Sequence, residues 1–305
     1  MRQKEWLSFC LALLNETVKG LFNARREVLM KISEELLTSR KNPLVLFACS
    51  LQEKKGREAD KCFLAEGEKL LLEAISAGLT IQNVLISESK KTRFLTLLNE
   101  KKEEKALQSA TVNVLADSCF EKISTEKAPQ GVITIVKHLD FFEKCTIIYN
   151  NGSFSDERIL MLYAMRDPGN LGSVIRSAVA FGADRILMSA DSADVYNPKT
   201  VRSAMGSLFR VKITAVEDVI GSIECLRKGG RRVFAAELSD GADSLDAIAI
   251  KKSDVFMIGN EGHGIPREVS RACDGSVYIP ISKTTESLNA SVAAAIFMWE
   301  QKKRS

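Results

Sequence analysis

Apolar positions recur along the chain in two rhythms, a helical one near every third or fourth residue and an alternating one near every second. Over residues 1–42, Trp6, Phe9 and Leu13, and then Val28, Ile32 and Leu36, keep the helical spacing, which predicts one or two amphipathic helices. Asn42-Pro43 breaks that pattern. From residue 43 to 137 short apolar runs alternate with charged segments. Residues 63–67, 81–87, 111–115 and 132–136 read as strands, and residues 68–77 and 91–105 as helices, the first closed by Gly78. That alternation predicts a small α/β sandwich. Residues 138–157 are polar and irregular, with Asn150-Asn151-Gly152-Ser153 among them, and read as a linker.

Beyond the linker the alternation becomes stronger. Strands at 159–164, 185–189, 232–238 and 255–258 and helices at 171–181 and 198–205 predict an α/β domain with a mostly parallel sheet covered on both faces. In such sheets ligands gather at the C-terminal ends of the strands. The chain closes with an apolar run at 277–281, a polar loop at 282–287 and a helix. Leu288, Val292, Ile296 and Trp299 share one face of that helix, while Ala290, Ser291, Ala293, Ala294 and Ala295 keep the rest small. Ser287 and Asn289 stand at its N-terminus, and the helix reads as serine-capped and buried.

Composition narrows the picture mainly by exclusion. With 45% hydrophobic and 27% charged residues, the chain reads as a soluble globular protein of about two domains. No apolar run approaches the ~20 residues of a membrane span. The stretch holding Leu11, Leu13 and Leu14 is cut by Asn15 and Glu16, so neither a signal nor a transit peptide is expected, and the protein is expected in the cytoplasm. Seven scattered cysteines, never in a CxxC pair, fit a reducing compartment and no zinc site. With only His138 and His263, neither a His-rich metal centre nor a Ser-His-Asp hydrolase is easily assembled, and His138 reads as a linker-surface residue. The net charge of +4 arises in residues 1–137, where 22 Lys/Arg face 18 Asp/Glu; the remainder balances at 21 and 21. Lys54, Lys55 and Arg57 are candidate phosphate contacts there, with a solvated basic loop as the equal alternative.

Three loops at strand ends carry the candidate chemistry. In the first, Pro168 and Gly169 make a turn, Asn170 can cap the following helix, and Arg176 lies well inside that helix, where an ion pair is the plain alternative. The second, residues 258–266, holds glycines in the order GxxGxG rather than GxGxxG, and the acid expected ~20 residues beyond a dinucleotide fingerprint is missing. No GxxxxGK[ST] loop exists either, so nicotinamide and P-loop chemistry are disfavoured. Glu261 in such a loop is a poor fit to packing, whereas His263 reads as solvent-facing. The third lies in the closing stretch of residues 277–299, with its polar loop at 282–287.

Taken in order, DPGNLGSVIRSAVAFGAD (167–184), IGNEGHGIP (258–266) and IPISKTTESLNASVAAA (279–295) resemble the motifs of the SpoU branch of the SPOUT methyltransferases. NPKTVRSAMGSLFRV (197–211) is similar to that family as well. KKGR with FLAEGEKLL (54–71) and APQGVITIV (128–136) resemble the L30e-like substrate-binding domain often joined to these enzymes. The resemblance covers residues 43–305. It implies an L30e-like domain at 43–137 and a methyltransferase domain at 158–305 containing a deep trefoil knot, joined by the linker at 138–157, while the helical extension at 1–42 falls outside it. It also implies a homodimer that 2′-O-methylates an RNA ribose with S-adenosylmethionine and uses no metal.

By motif position the resemblance makes Asn170, Arg176, Glu261, Ser287 and Asn289 the polar site residues. Backbone around Gly259, Ile279 and Leu288 would cradle the methyl donor, and Lys54, Lys55, Arg57 and Arg202 would contact RNA. An arginine is a poor proton acceptor because its pKa exceeds ~12, so Arg176 is expected to position and stabilise rather than act as a free base. Large-subunit ribosomal RNA is the expected substrate, with transfer RNA as the alternative. A non-catalytic RNA-binding assembly protein and a base methyltransferase are the competing readings. The intact site residues oppose the first, and the NxxxxxR, NEG and SLN motifs oppose the second.

Overall fold

A computed structural model describes residues 30–148, 156–282 and 284–304. The smaller sheet has five strands: β1 (Lys31–Leu37), β2 (Cys62–Glu66), β3 (Ile81–Ser87), β4 (Thr111–Leu115) and β5 (Val132–Lys137), in the order β1-β4-β3-β5-β2. β1, β4 and β3 are parallel, and β5 is antiparallel to β3 and β2. Helices α1 (Pro43–Ser50), α2 (Lys54–Asp60), α3 (Glu68–Ser76), α4 (Lys91–Glu100) and α5 (Asp117–Ile123) accompany it. Strands β2 to β5 are apolar without strict alternation because both faces are covered, whereas edge strand β1 is largely exposed. Val45 of α1 and Phe120 of α5 pack on one face, and Leu71 of α3 and Phe94 of α4 on the other.

Two expectations fail here. Ile32 and Leu36 belong to strand β1 rather than to a helix, and both are exposed, at 48% and 37%. A spacing of four residues puts side chains on one face in a strand as well as in a helix, so those two positions could not decide between them. Trp6, Phe9, Leu13 and Val28 lie outside the described residues. The basic segment at Lys54 is also not a loop but helix α2.

The larger sheet has eight parallel strands: β6 (Phe142–Cys145), β7 (Ile159–Leu162), β8 (Arg185–Ser189), β9 (Lys212–Val216), β10 (Val233–Ala236), β11 (Asp243–Ser244), β12 (Val255–Ile258) and β13 (Gly275–Tyr278). Their order is β11-β13-β10-β12-β7-β8-β9-β6. Part of the expected linker is therefore an edge strand, since β6 pairs with β9. Helices α6 (Pro168–Ala180), α7 (Pro198–Ala204), α8 (Val219–Lys228), α9 (Arg267–Ala272) and α10 (Ala290–Arg304) connect and cover the strands. After β12 the chain crosses β10 to form β13, and α10 then returns against α6 and β12.

Helix α10 buries the face opposite to the one its spacing picked out. Ala290, Ala294, Phe297 and Met298 are buried, whereas Val292 and Trp299 are 46% and 49% exposed. The helix is apolar nearly all round in its first three turns, and periodicity cannot choose a face there. Gln301 is buried too, and its amide donates to the Asp254 carbonyl at 2.7 Å.

Candidate active site

Helix α6 begins one turn earlier than expected. Pro168 occupies its first position, and the N-cap is Asp167, whose carboxylate accepts from the Asn170 N–H at 2.8 Å and from Lys199 Nζ at 2.8 Å. Those bonds hold the Asp167 carboxyl below the usual range. Asn170 is thus not the cap but sits within the first turn, which frees its side chain. Its Nδ2 donates to the Glu261 carboxylate, and its Oδ1 accepts from Asn289 Nδ2 at 3.1 Å. Three residues from three separate loops meet in one hydrogen-bonded set.

Each partner is fixed by its own surroundings. Asn289, rather than Ser287, caps α10: its Oδ1 accepts from the Ser291 N–H at 2.9 Å and from the Ser291 hydroxyl at 2.6 Å. Glu261 projects from a tight turn in which Asn260 Oδ1 accepts from the N–H groups of Gly262 and His263 at 2.9 and 2.8 Å. The turn closes through a bridge between Asn260 and Gly264. A Cβ on Gly259 would stand 2.5 Å from the Gly264 carbonyl carbon, so only glycine permits that closure. His263 is exposed, as expected of a loop histidine.

The other expected site residues are placed nearby in sequence but are not bonded to this set. Arg176 is exposed on α6 and Ser287 is exposed before α10; neither side chain makes a hydrogen bond or ion pair among the described residues. Leu288 is half-buried, and its backbone groups also make no hydrogen bond among the described residues. Ile279 is partly buried against the main apolar cluster.

The four RNA-contact candidates separate into two groups. Lys54 and Lys55 are exposed on α2. Arg57 is 2% exposed and fully committed inside the protein, which removes it as a surface phosphate contact. Its Nε and Nη2 donate to Asp194 at 3.0 and 2.7 Å, and its Nη1 donates to the Leu51 and Gln52 carbonyls at 2.8 and 2.7 Å. The side chain is a tie between the two domains. Arg202 likewise bridges them through an ion pair with Glu126, although its side chain is 44% exposed.

Several supporting residues escaped sequence reasoning. Gly172 lets α6 and α7 touch, since a Cβ there would lie 2.5 Å from the Thr200 carbonyl oxygen. Ala164 is buried with φ of 48°, a left-handed conformation costly for alanine, and its N–H donates to Ser189 Oγ at 2.7 Å. Asp167 could have been found from Asp-Pro, the cap-then-proline start of a helix. His138, expected on a linker surface, is instead half-buried with its ring stacked on Tyr196 at 4.1 Å.

An all-parallel sheet with a polar set drawn from three strand-end loops is the architecture of a SPOUT-type methyltransferase, and the chain belongs to the SpoU methylase family. Residues 157–299 match the SpoU rRNA Methylase family, and residues 42–134 match the MRM3-like substrate binding domain. The chain is 30% identical over 263 residues to the 23S rRNA (guanosine(2553)-2'-O)-methyltransferase RlmP of Bacillus subtilis (strain 168), covering 86% of this chain and 97% of that protein. It is 35% identical over 137 residues to the 23S rRNA (uridine(2479)-2'-O)-methyltransferase of Streptomyces viridochromogenes, covering 44% of this chain and 48% of that protein. A solved structure of an AdoMet-bound rRNA methyltransferase from Sinorhizobium meliloti superposes with a TM-score of 0.73 at 28% identity, over 89% of this chain and 98% of that one.

Proposed function

We propose that the protein transfers a methyl group from S-adenosylmethionine to a ribose 2′-oxygen of large-subunit ribosomal RNA. The observation that carries this reading is the set formed by Asn170, Glu261 and Asn289. An asparagine amide offers two donors and a carbonyl with two lone pairs. Glu261 takes one donor and Asn289 supplies one lone-pair partner, so the Asn170 amide is fixed in orientation with one donor and one acceptor site left for a ribose.

The residues present fit the methyl donor. The Gly259–Gly264 turn is too close for any side chain, and the half-buried backbone of Leu288 has hydrogen-bonding groups to spare. Gly259, Ile279 and Leu288 would hold it through their main chain. When bound, S-adenosylmethionine supplies a methyl group already activated on a sulfonium. The protein's own task is then positioning, which can be worth ~7 kcal/mol or more of a barrier. Asn170 orients the ribose, and Arg176, uncommitted and exposed, meets the adjoining phosphate. Ser287 gives the third loop a free hydroxyl beside Leu288.

The names of the similar proteins support ribosomal over transfer RNA, and an RNA of that kind is consistent with a cytoplasmic enzyme. Among the described residues no helix is long and apolar enough to cross a membrane. A homodimer is part of the proposal: Val292 and Trp299 leave an apolar face on α10, the helix capped by Asn289, which a second copy would cover beside the site. Incubation with labelled S-adenosylmethionine and deproteinised ribosomal or transfer RNA tests the reading. Label entering large-subunit RNA supports it; label entering only transfer RNA overturns the ribosomal part.

A further inference from the structure

Where the two domains meet lies a hollow of about 250 Å³ that none of the proposed catalytic residues lines. Lys54 and Lys61 at the two ends of α2, His138 after β5 and Lys144 of β6 form part of its wall, with Asp194 and Tyr196 from the loop beyond β8. Its charge is unbalanced. Arg57 and Asp194 neutralise one another at 2.7 Å, and Glu58 lies 4.0 Å from Lys54 and 3.6 Å from Lys144. One carboxylate thus serves two lysines, and Lys61 has no ion-pair partner among the described residues.

The interior adds a second observation. His138 Nε2 is buried and has no hydrogen-bond partner among the described residues, although buried polar groups are nearly always paired. Burial, together with the Lys61, Lys144 and Arg57 charges, holds its pKa below the ordinary histidine value even with Asp194 opposing, as expected in a cationic hollow. The volume falls below the ~300 Å³ at which pockets for drug-sized ligands begin, so it suits one phosphate and part of its sugar. One wall is also tied to the active site. The Ala193 N–H donates to the Met165 carbonyl at 2.8 Å, and Met165 stands two residues before the cap of α6.

We propose that this hollow binds a backbone phosphate of the RNA substrate away from the methylated ribose, through Lys61 and Lys144, beside the His138 ring. One RNA strand then engages both domains and the active site together. The proposal rests on the RNA-methyltransferase reading but not on which RNA is used.

The test compares two double variants of the full-length enzyme. Lys61→Asn/Lys144→Gln removes two of the hollow's three lysines, asparagine being chosen because residue 61 has φ of 53°, which asparagine tolerates. Lys101→Gln/Lys102→Gln removes the same charge from exposed positions elsewhere. The first variant is expected to weaken RNA binding about tenfold at ~0.1 M salt and to lower the slope of log K against log salt by about 1. S-adenosylmethionine binding and melting temperature should stay as in wild type, and the control should match wild type throughout.

Because the chain has two histidines, their ring resonances can be followed individually by NMR. A short RNA should shift both His138 and His263 in wild type and only His263 in the first variant. Inorganic phosphate is the probe for a free anion, and it should move His138 only at far higher concentration. Equal losses in the two double variants, an unmoved His138, or saturation by phosphate but not RNA would each overturn the proposal. Wild-type protein that neither binds nor methylates RNA would instead overturn the functional reading beneath it.

Discussion

Replacing Arg57 with methionine separates a structural role from an RNA-contact role at the residue where the two readings differ most. The guanidinium makes four hydrogen bonds, two to Asp194 and two to the Leu51 and Gln52 carbonyls, and the side chain is 3% exposed against 18% for Asp194. Methionine keeps much of the buried volume but leaves a carboxylate and two carbonyls without their donors. Removing one partner of a buried ion pair costs about 3–5 kcal/mol, and because Asp194 retains some water the lower end applies, about 3 kcal/mol. At roughly 2–4 °C per kcal/mol, the melting temperature should fall by about 6–12 °C. Adding Asp194→Asn to Arg57→Met should restore part of that loss, since the stranded charge is gone, and thermal melts of the four proteins give the coupling directly. A single variant that melts like wild type yet binds RNA poorly would refute the structural assignment.

Arg176→Ala should lower methyl transfer about a hundredfold in single-turnover assays, the scale of losing one preorganised charge contact, while leaving S-adenosylmethionine affinity and melting unchanged. Gly172→Ala gains ~1 kcal/mol of helix propensity but forces a Cβ against the Thr200 carbonyl, so a net loss of about 1–2 kcal/mol is expected by chemical denaturation. For His138 the folded pKa lies below the unfolded value of about 6.5, so the unfolded chain binds the extra proton first. Stability should therefore fall as pH drops through ~6.5 and level off below the folded pKa. His138→Phe, which keeps the ring stack on Tyr196, should flatten that part of a melting-temperature profile between pH 8 and 5.

Much of the fold was legible because strands covered on both faces leave short, dense apolar runs. Residues 81–87, 111–115, 185–189 and 255–258 are strands at the bounds read from sequence. Other elements were hidden for particular reasons. Lys212–Val216 and Val219–Lys228 carry no motif to draw attention, and β6 sits on an edge where half its residues are solvated. The buried face of α10 depends on which neighbours cover it, and a helix apolar on nearly all sides does not encode that choice locally. At the site, Asn170, Glu261 and Asn289 were named from three separate motifs, yet only the folded chain shows them bonded to one another. Arg57 was misread because a basic run gives no sign of which cation turns inward. Asp194, its partner, lies 137 residues away.

In the proposed function, the Asn170–Glu261–Asn289 set presents a ribose 2′-oxygen for methylation. Alkaline hydrolysis of RNA labelled by the enzyme from methyl-tritiated S-adenosylmethionine tests it most directly, because a 2′-O-methyl group blocks cleavage of the adjacent phosphodiester. The label is expected in alkali-resistant dinucleotides for the wild-type enzyme and should be lost with Asn170→Ala. Label recovered in ordinary mononucleotides would place the methyl group on a base and contradict the claim.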